Sequence, residues 1–536
     1  MAARAREGAA DGLRVYFALC VLVYHCTFFS ILGRTDILQD DAFHALRREP
    51  LYNPLIANGL EAPNIFFMLS GFFTTRSLLR SLRSGTAIHA GRLIFARYLR
   101  LLPLVALPTL AGLLLDPAFF DEHGAFNWRK LFGHLTLSGN MGTLVSPSHE
   151  AQWRAMFSTA TAPAWSLMVD WHATAVLVVL VPWAFANLGG TSGVAGVLIV
   201  LGLAATALRY QLVHSLLVGT ACPWHAYIRA YTPEPFYALS SVAHGYAHAY
   251  GHAPADVPLA SMPDMPPAPS WPVRLQSTLV RVLGGDDASS SSTACNATVF
   301  EVASELSART YNPSHARIAP FLVGGLVAVS YARALEREQA GAIRAEGAPA
   351  DLFSRVWRVT QRAASVAARL ASLLLSLQML RTSLASPLNY EYLHYAPDAV
   401  ISFCQTFWPL FNSLAVAHLF YGAIAPPSSS WHNPITNRLL SFRGFSPLAR
   451  LTPWIIMLHC PIILALTINR TIPRLSPGLD APSLRSVAAY CALVLTLTLP
   501  LAHLASTRIE PAWQRMSSRL LDAALGAAEK LARARE

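Results

Sequence analysis

Arg14 and His25 stand near opposite ends of the first long apolar run of the chain. Ionisable groups inside such a run are costly and usually tied to function. As a helix, the eleven-residue spacing turns His25 back to within about 20° of Arg14's face, about 16 Å further along the axis. One helix face would then hold an anion at its mouth and present an imidazole deeper in. The plainer alternative is an interfacial arginine plus a histidine packed between helices.

Four further groups invite the same weighing. Asn64 to Phe72 contains the small pair Ser70-Gly71, which permits close helix approach and otherwise serves packing alone. Arg97 and Arg100 share a helix face, and two guanidinium forks can grip a phosphate, although basic flanks of apolar runs are common. Trp165 to Asp170 places a carboxylate at the start of an apolar run, where a cation or an imidazole is the cheapest partner. Leu451 to Pro461 places His459 near the middle of another.

The elements that position these residues are membrane helices. The chain is 53% hydrophobic and 13% charged, with mean hydropathy +0.38. Soluble domains run nearer about 25% charged. The net charge of +11 is almost entirely arginine placed between apolar runs and in the tail, as expected for loops facing anionic lipid, and does not point to nucleic acid. The expected fold is therefore all-α and polytopic. Runs near 12–32, 60–80, 98–116, 165–187, 192–210, 317–334, 363–383, 398–424, 449–468 and 484–506 give about ten transmembrane helices. The first run reads as an uncleaved anchor. Arginine-rich connections fall on one side when both termini are cytosolic.

Three regions follow: a cytosolic N-terminus (1–11), a membrane domain (12–506) and a basic amphipathic cytosolic tail (507–536). A long insertion at 211–316, rich in Pro and Ser, then faces the lumen. It carries the glycosylation sequon Asn296-Ala297-Thr298 and the expected disulfide Cys222–Cys295. His244, His248 and His252 recur every four residues there, but without a carboxylate and among poor helix formers they predict no metal site.

In order along the chain these motifs resemble the membrane acyltransferase-3 family, specifically its eukaryotic nose-resistant-to-fluoxetine-like branch. Arg14 and His25 match its Arg-x10-His, Phe66 to Gly71 its Phe-Phe-x-x-Ser-Gly, and Arg97 and Arg100 its Arg-x-x-Arg. Trp165 to Asp170 match Trp-Ser-Leu-x-x-Glu/Asp, and Glu510-Pro511 matches a late Glu-Pro pair. Tyr311 to Gly324, including Arg317, approaches the branch's Tyr-x-Pro-x-x-Arg-Ile-x-Pro-Tyr-x-x-Gly with one extra residue before the arginine and Phe321 in place of tyrosine. Leu458-His459-Cys460-Pro461 represents Leu-x-His-Pro with Cys460 inserted. The resemblance runs from about residue 11 to 515, and the cysteine-rich lumenal domain of many eukaryotic members is expected to be absent.

The resemblance implies a multi-pass enzyme of an endomembrane (endoplasmic reticulum) or the plasma membrane. It would move an acyl group from acyl-CoA, a co-substrate and not a resident cofactor, to a hydroxyl-bearing lipid, sterol or carbohydrate. Arg14, Arg97 and Arg100 would bind the donor. His25 would be the catalytic base or carry the acyl group, with Asp170 orienting its ring; Ser70, Gly71, Trp165, Arg317 and His459 would be supporting motif residues. No metal is implied. A lipid or small-molecule transporter is the competing class, against which stands the absence of an internal repeat. A catalytically dead scaffold would not need Arg14, His25, Arg97 and Arg100 together.

Overall fold

The computed structural model describes residues 2–32, 58–115, 126–139, 161, 163–219, 317–344, 398–427, 429, 431–468 and 484–533. All regular structure among them is helical, without a β-strand. In chain order the helices are α1 (Ala2–Leu32), α2 (Asn58–Arg83), α3 (Ala90–Leu115), α4 (Trp128–Leu135), α5 (Ala164–Asn187) and α6 (Thr191–Gly219). After the insertion come α7 (Ala319–Arg344), α8 (Asp398–Ile424), α9 (Pro434–Leu440), α10 (Phe445–Ile468), α11 (Leu484–Leu504) and α12 (Glu510–Arg533). A π-helical turn, Ala505–Ile509, joins the last two into one rod.

Six described helical stretches are long and apolar enough to cross a membrane: Gly8–Thr27, Ala90–Leu114, Ala164–Asn187, Thr191–Val213, Phe445–Leu466 and Val487–Ala523. The chain is thus a multi-pass membrane protein by length and composition. The run at 363–383 lies outside the described residues. Helices α2 and α7, also read from sequence as spans, fall short of that apolarity, and the apolar stretch described in α8, Pro409–Ile424, falls short in length. For α2 the reason is its position: α1, α5, α7 and α8 all pack on it. An enclosed helix can keep Glu61 and Asn64 because their partners are protein. By contrast α6 turns Val200 and Leu203 outward, each 64% exposed, as a lipid-facing helix must.

Two helices run beyond the apolar runs that predict them. The first begins at Ala2, with its span-like stretch at Gly8–Thr27. Ala9 and Ala10 are buried, and a Cβ on Gly12 would overlap the Leu440 carbonyl, so small residues let α1 pack against α9. At the other side, the run expected to end at 210 continues as helix to Gly219, because Leu212, Val213, Leu216 and Leu217 prolong the apolar pattern.

Backbone proximity decides the centre. A Cβ on Gly71 would collide with the Phe321 backbone, and one on Gly324 with the Met68 carbonyl. Helices α2 and α7 therefore touch main chain to main chain through two glycines. Nearby, Glu61 Oε2 accepts from Asn64 Nδ2 (2.7 Å) and Asn412 Nδ2 (3.3 Å), while Arg317 donates to Asn64 Oδ1 (2.7 Å). All four side chains are buried. Arg317 thus belongs to an ionic brace across α2, α8 and the entry to α7.

Candidate active site

A cavity of about 760 Å³ lies among α1, α2, α3, α5, α10 and the α11–α12 junction. Arg14, His25, Ser70, Arg97, Arg100, Trp165 and Asp170 all line it. Seven of the residues singled out in the sequence, drawn from four helices, thus share one space. Gly71, Arg317 and His459 are not on its lining. Gly71 and Arg317 serve the α2–α7 contact, and His459 stands behind His25. Asn296, Cys222 and Cys295 lie outside the described residues.

The arginine end is not a bare cationic patch. Arg97 donates from Nε (3.0 Å) and Nη2 (2.5 Å) to Asp170 Oδ2, and from Nη2 to Ser70 Oγ (3.1 Å). This corrects the expected contact between Asp170 and His25. A carboxylate nearly two turns into α5 faces α3, and the arginine there takes it. It also narrows the donor-binding expectation, because one fork of the Arg97-Arg100 pair is already engaged. Arg14 sits over the Phe73 ring at 4.9 Å, with Asp11 at 3.4 Å. Arg450 and Glu510 complete the rim, so four arginines face three carboxylates. Trp454 Nε1 donates to Glu510 Oε2 (3.0 Å), and Trp513 Nε1 donates to the Leu99 carbonyl (2.5 Å), tying the start of α12 to α10 and α3. Trp513 is therefore turned inward and is not part of the tail's apolar stripe, whose Met516 and Leu520 remain exposed.

At the histidine end the sequence had not paired the two rings. His25 Nδ1 lies 2.7 Å from His459 Nε2. The ring centroids are 4.9 Å apart and the planes within 18°, as an in-line N–H···N bond between nearly coplanar imidazoles requires. His459 Nδ1 is 3.0 Å from the Ile455 carbonyl oxygen. A carbonyl only accepts, so Nδ1 of His459 carries the proton and its Nε2 offers a lone pair. With both rings neutral, His25 must donate from Nδ1, leaving Nε2 as its basic nitrogen. The chain from the Ile455 carbonyl through His459 to His25 thereby selects one tautomer of the ring that lines the cavity. Pro453 and Pro461 bracket this turn of α10 and interrupt its backbone ladder, which distinguishes the segment in sequence without naming its partner.

Cys460 adds a thiol to the same corner. Its Sγ is 3.3 Å from His459 Nε2 and 3.8 Å from His25 Nδ1.

No family model, no curated protein and no solved structure matches this chain.

Proposed function

We propose that the protein is a membrane-bound O-acyltransferase of the acyltransferase-3 type, using acyl-CoA to acylate a hydroxyl of a lipid, sterol or carbohydrate. The observation that carries this reading is the single cavity with an arginine rim at one end and a tautomer-selected histidine at the other. Arg14 and His25 are separated by about 16 Å of helix rise, a span suited to an anionic carrier whose reactive thioester lies at the end of a long arm. In the proposed topology both termini are cytosolic, among about ten spans. The rim then opens to the cytosol, where acyl-CoA resides, in an endomembrane or the plasma membrane.

In the proposed reaction Arg100, Arg14 and Arg450 hold the phosphates by charge-assisted hydrogen bonds. Arg97 is kept in place by Asp170 and Ser70. His25 Nε2 takes the proton of the acceptor hydroxyl as its oxygen attacks the thioester carbonyl, and CoA leaves as a thiolate that receives that proton. The positive charge on His25 is stabilised while Nδ1–H donates to His459. General-base action of this kind contributes about 10²–10⁴-fold in rate.

The test is release of CoA from labelled acyl-CoAs of graded chain length by purified protein, with candidate acceptors and with His25→Ala. Loss of release in a correctly folded His25→Ala protein is expected. Near-normal release from that variant refutes the mechanism, and substrate flux across a vesicle membrane without any CoA release would favour transport.

A further inference from the structure

We infer that His25, His459 and Cys460 form a binding site for a zinc-class metal ion, and that its occupancy switches His25 off as a base. The switching part rests on the proposed acyl transfer; the site itself does not. The ligand atoms are His25 Nδ1, His459 Nε2 and Cys460 Sγ, all within 4.8 Å of one another. Imidazole nitrogen and thiolate sulfur are the donors zinc prefers, and three protein ligands plus water is a common set.

The distances can be tested against what the ion needs. Zinc takes nitrogen at about 2.0 Å and sulfur at about 2.3 Å, so a tetrahedral centre sets N···N near about 3.3 Å and N···S near about 3.5 Å. The two sulfur distances here are 3.3 and 3.8 Å, bracketing that value. The N···N separation of 2.7 Å must open by roughly 0.6 Å, and the two rings, aimed at each other in the metal-free arrangement, must tilt so that both lone pairs meet at one centre. His459 already presents its lone pair at Nε2, fixed by the Ile455 carbonyl, as the outer partners of metal-bound histidines commonly do. Further thiols lie behind the site, because Cys26 contacts Cys491 and is within electrostatic reach of Cys460. The cavity reaches as far as His25, with His459 and Cys460 beyond its lining, so an ion would enter past the His25 ring.

Proton balance gives the switch. On binding, Cys460 releases its thiol proton to water and His25 moves its proton from Nδ1 to Nε2. The nitrogen that would accept the acceptor's proton is then occupied, and the bond to His459 is replaced by the metal.

Chelator-treated full-length protein in detergent, titrated with Co²⁺ as a spectroscopic probe and with Zn²⁺ in competition, tests this. A thiolate-to-cobalt charge-transfer band at one equivalent is expected, displaced by Zn²⁺. Cys460→Ser, which keeps the side-chain volume, should lose the band and weaken Zn²⁺ binding by about 100-fold or more, beyond the effect of losing an outer partner. His459→Ala should weaken it as well. Absence of the band, or Zn²⁺ binding equal in Cys460→Ser, overturns the site. CoA release is then read as the ratio with and without Zn²⁺ for each variant. Release that falls at least tenfold with Zn²⁺ in the parent and not in Cys460→Ser is expected; release unchanged by saturating Zn²⁺ overturns the switch. A metal site present in a protein that releases no CoA refutes the proposed function and leaves the site standing.

Discussion

The His25–His459 pair makes a quantitative demand on the kinetics. Replacing His459 by alanine removes the acceptor 2.7 Å from His25 Nδ1, and with it the bond that selects the tautomer. As His25 becomes cationic in the transition state, that bond is charge-assisted and buried, worth about 1.5–3 kcal/mol. At about 1.36 kcal/mol per decade, kcat should fall by roughly 10- to 160-fold. His459 is fully buried and off the cavity lining, so KM for acyl-CoA should hold within a factor of about two, as for an interaction made only in the transition state. His25→Ala should cost more, about 10²–10⁴-fold. The decisive result is the double variant. If His459 acts only through His25, removing both costs no more than removing His25 alone. Initial rates of CoA release at several acyl-CoA concentrations, on protein checked for monodispersity, measure all four corners of the cycle. Additive losses in the double variant, or a His459→Ala effect confined to KM, would refute the relay.

Other consequences are equally direct. Arg317→Met leaves Glu61 buried beside Asn64 and Asn412 and should cost about 3–5 kcal/mol, towards the low end because Arg209 also acts on Glu61; adding Glu61→Gln should recover at least half, read as thermal midpoints in detergent. Gly71→Ala forces α2 off the Phe321 backbone and should lose about 1–3 kcal/mol or more by the same assay, with no equivalent loss at open-space Gly196. Arg450→Ala should raise KM for acyl-CoA several-fold with kcat unchanged, and the difference should shrink as salt screens the rim. His134, on α4 between the spans, is held near about 4 by burial, below its ordinary 6.5. A depressed histidine leaves α4 fully stable above about pH 6.5, and up to about 3 kcal/mol is lost as pH falls towards 4; hydrogen exchange of α4 should show this and His134→Gln should abolish it.

Much of the cavity was legible because its residues announce themselves locally. Arg14 and His25 obey one helical period, and Arg97, Trp165 and Asp170 are ionisable or aromatic groups at places where an apolar run gives them no other employment. Partner choice was not legible in the same way. Asp170 required a cation or an imidazole, and only the packing of α5 on α3 decided for Arg97. The His25–His459 bond joins residues 434 positions apart, and no local pattern reports a contact of that separation. Arg450 and Glu510 look like ordinary flanking charges until α10 and the α11–α12 rod bring them to one rim. The apolarity of α2 misleads for the opposite reason: its polar residues mark enclosure by protein rather than exposure to water.

The rod formed by α11, the π-helical turn and α12 has a mechanical meaning. Its middle supplies Ser506, Glu510, Pro511 and Gln514 to the cavity wall, while its far end carries Met516 and Leu520 outward among Arg515 and Arg519. Wall and outer stripe are one lever without an intervening loop, and the wider π turn interrupts the α-helical bonding along it. Any displacement of the stripe is therefore carried along continuous backbone to the Glu510–Trp454 bond beside the rim, with no loop between them to absorb it.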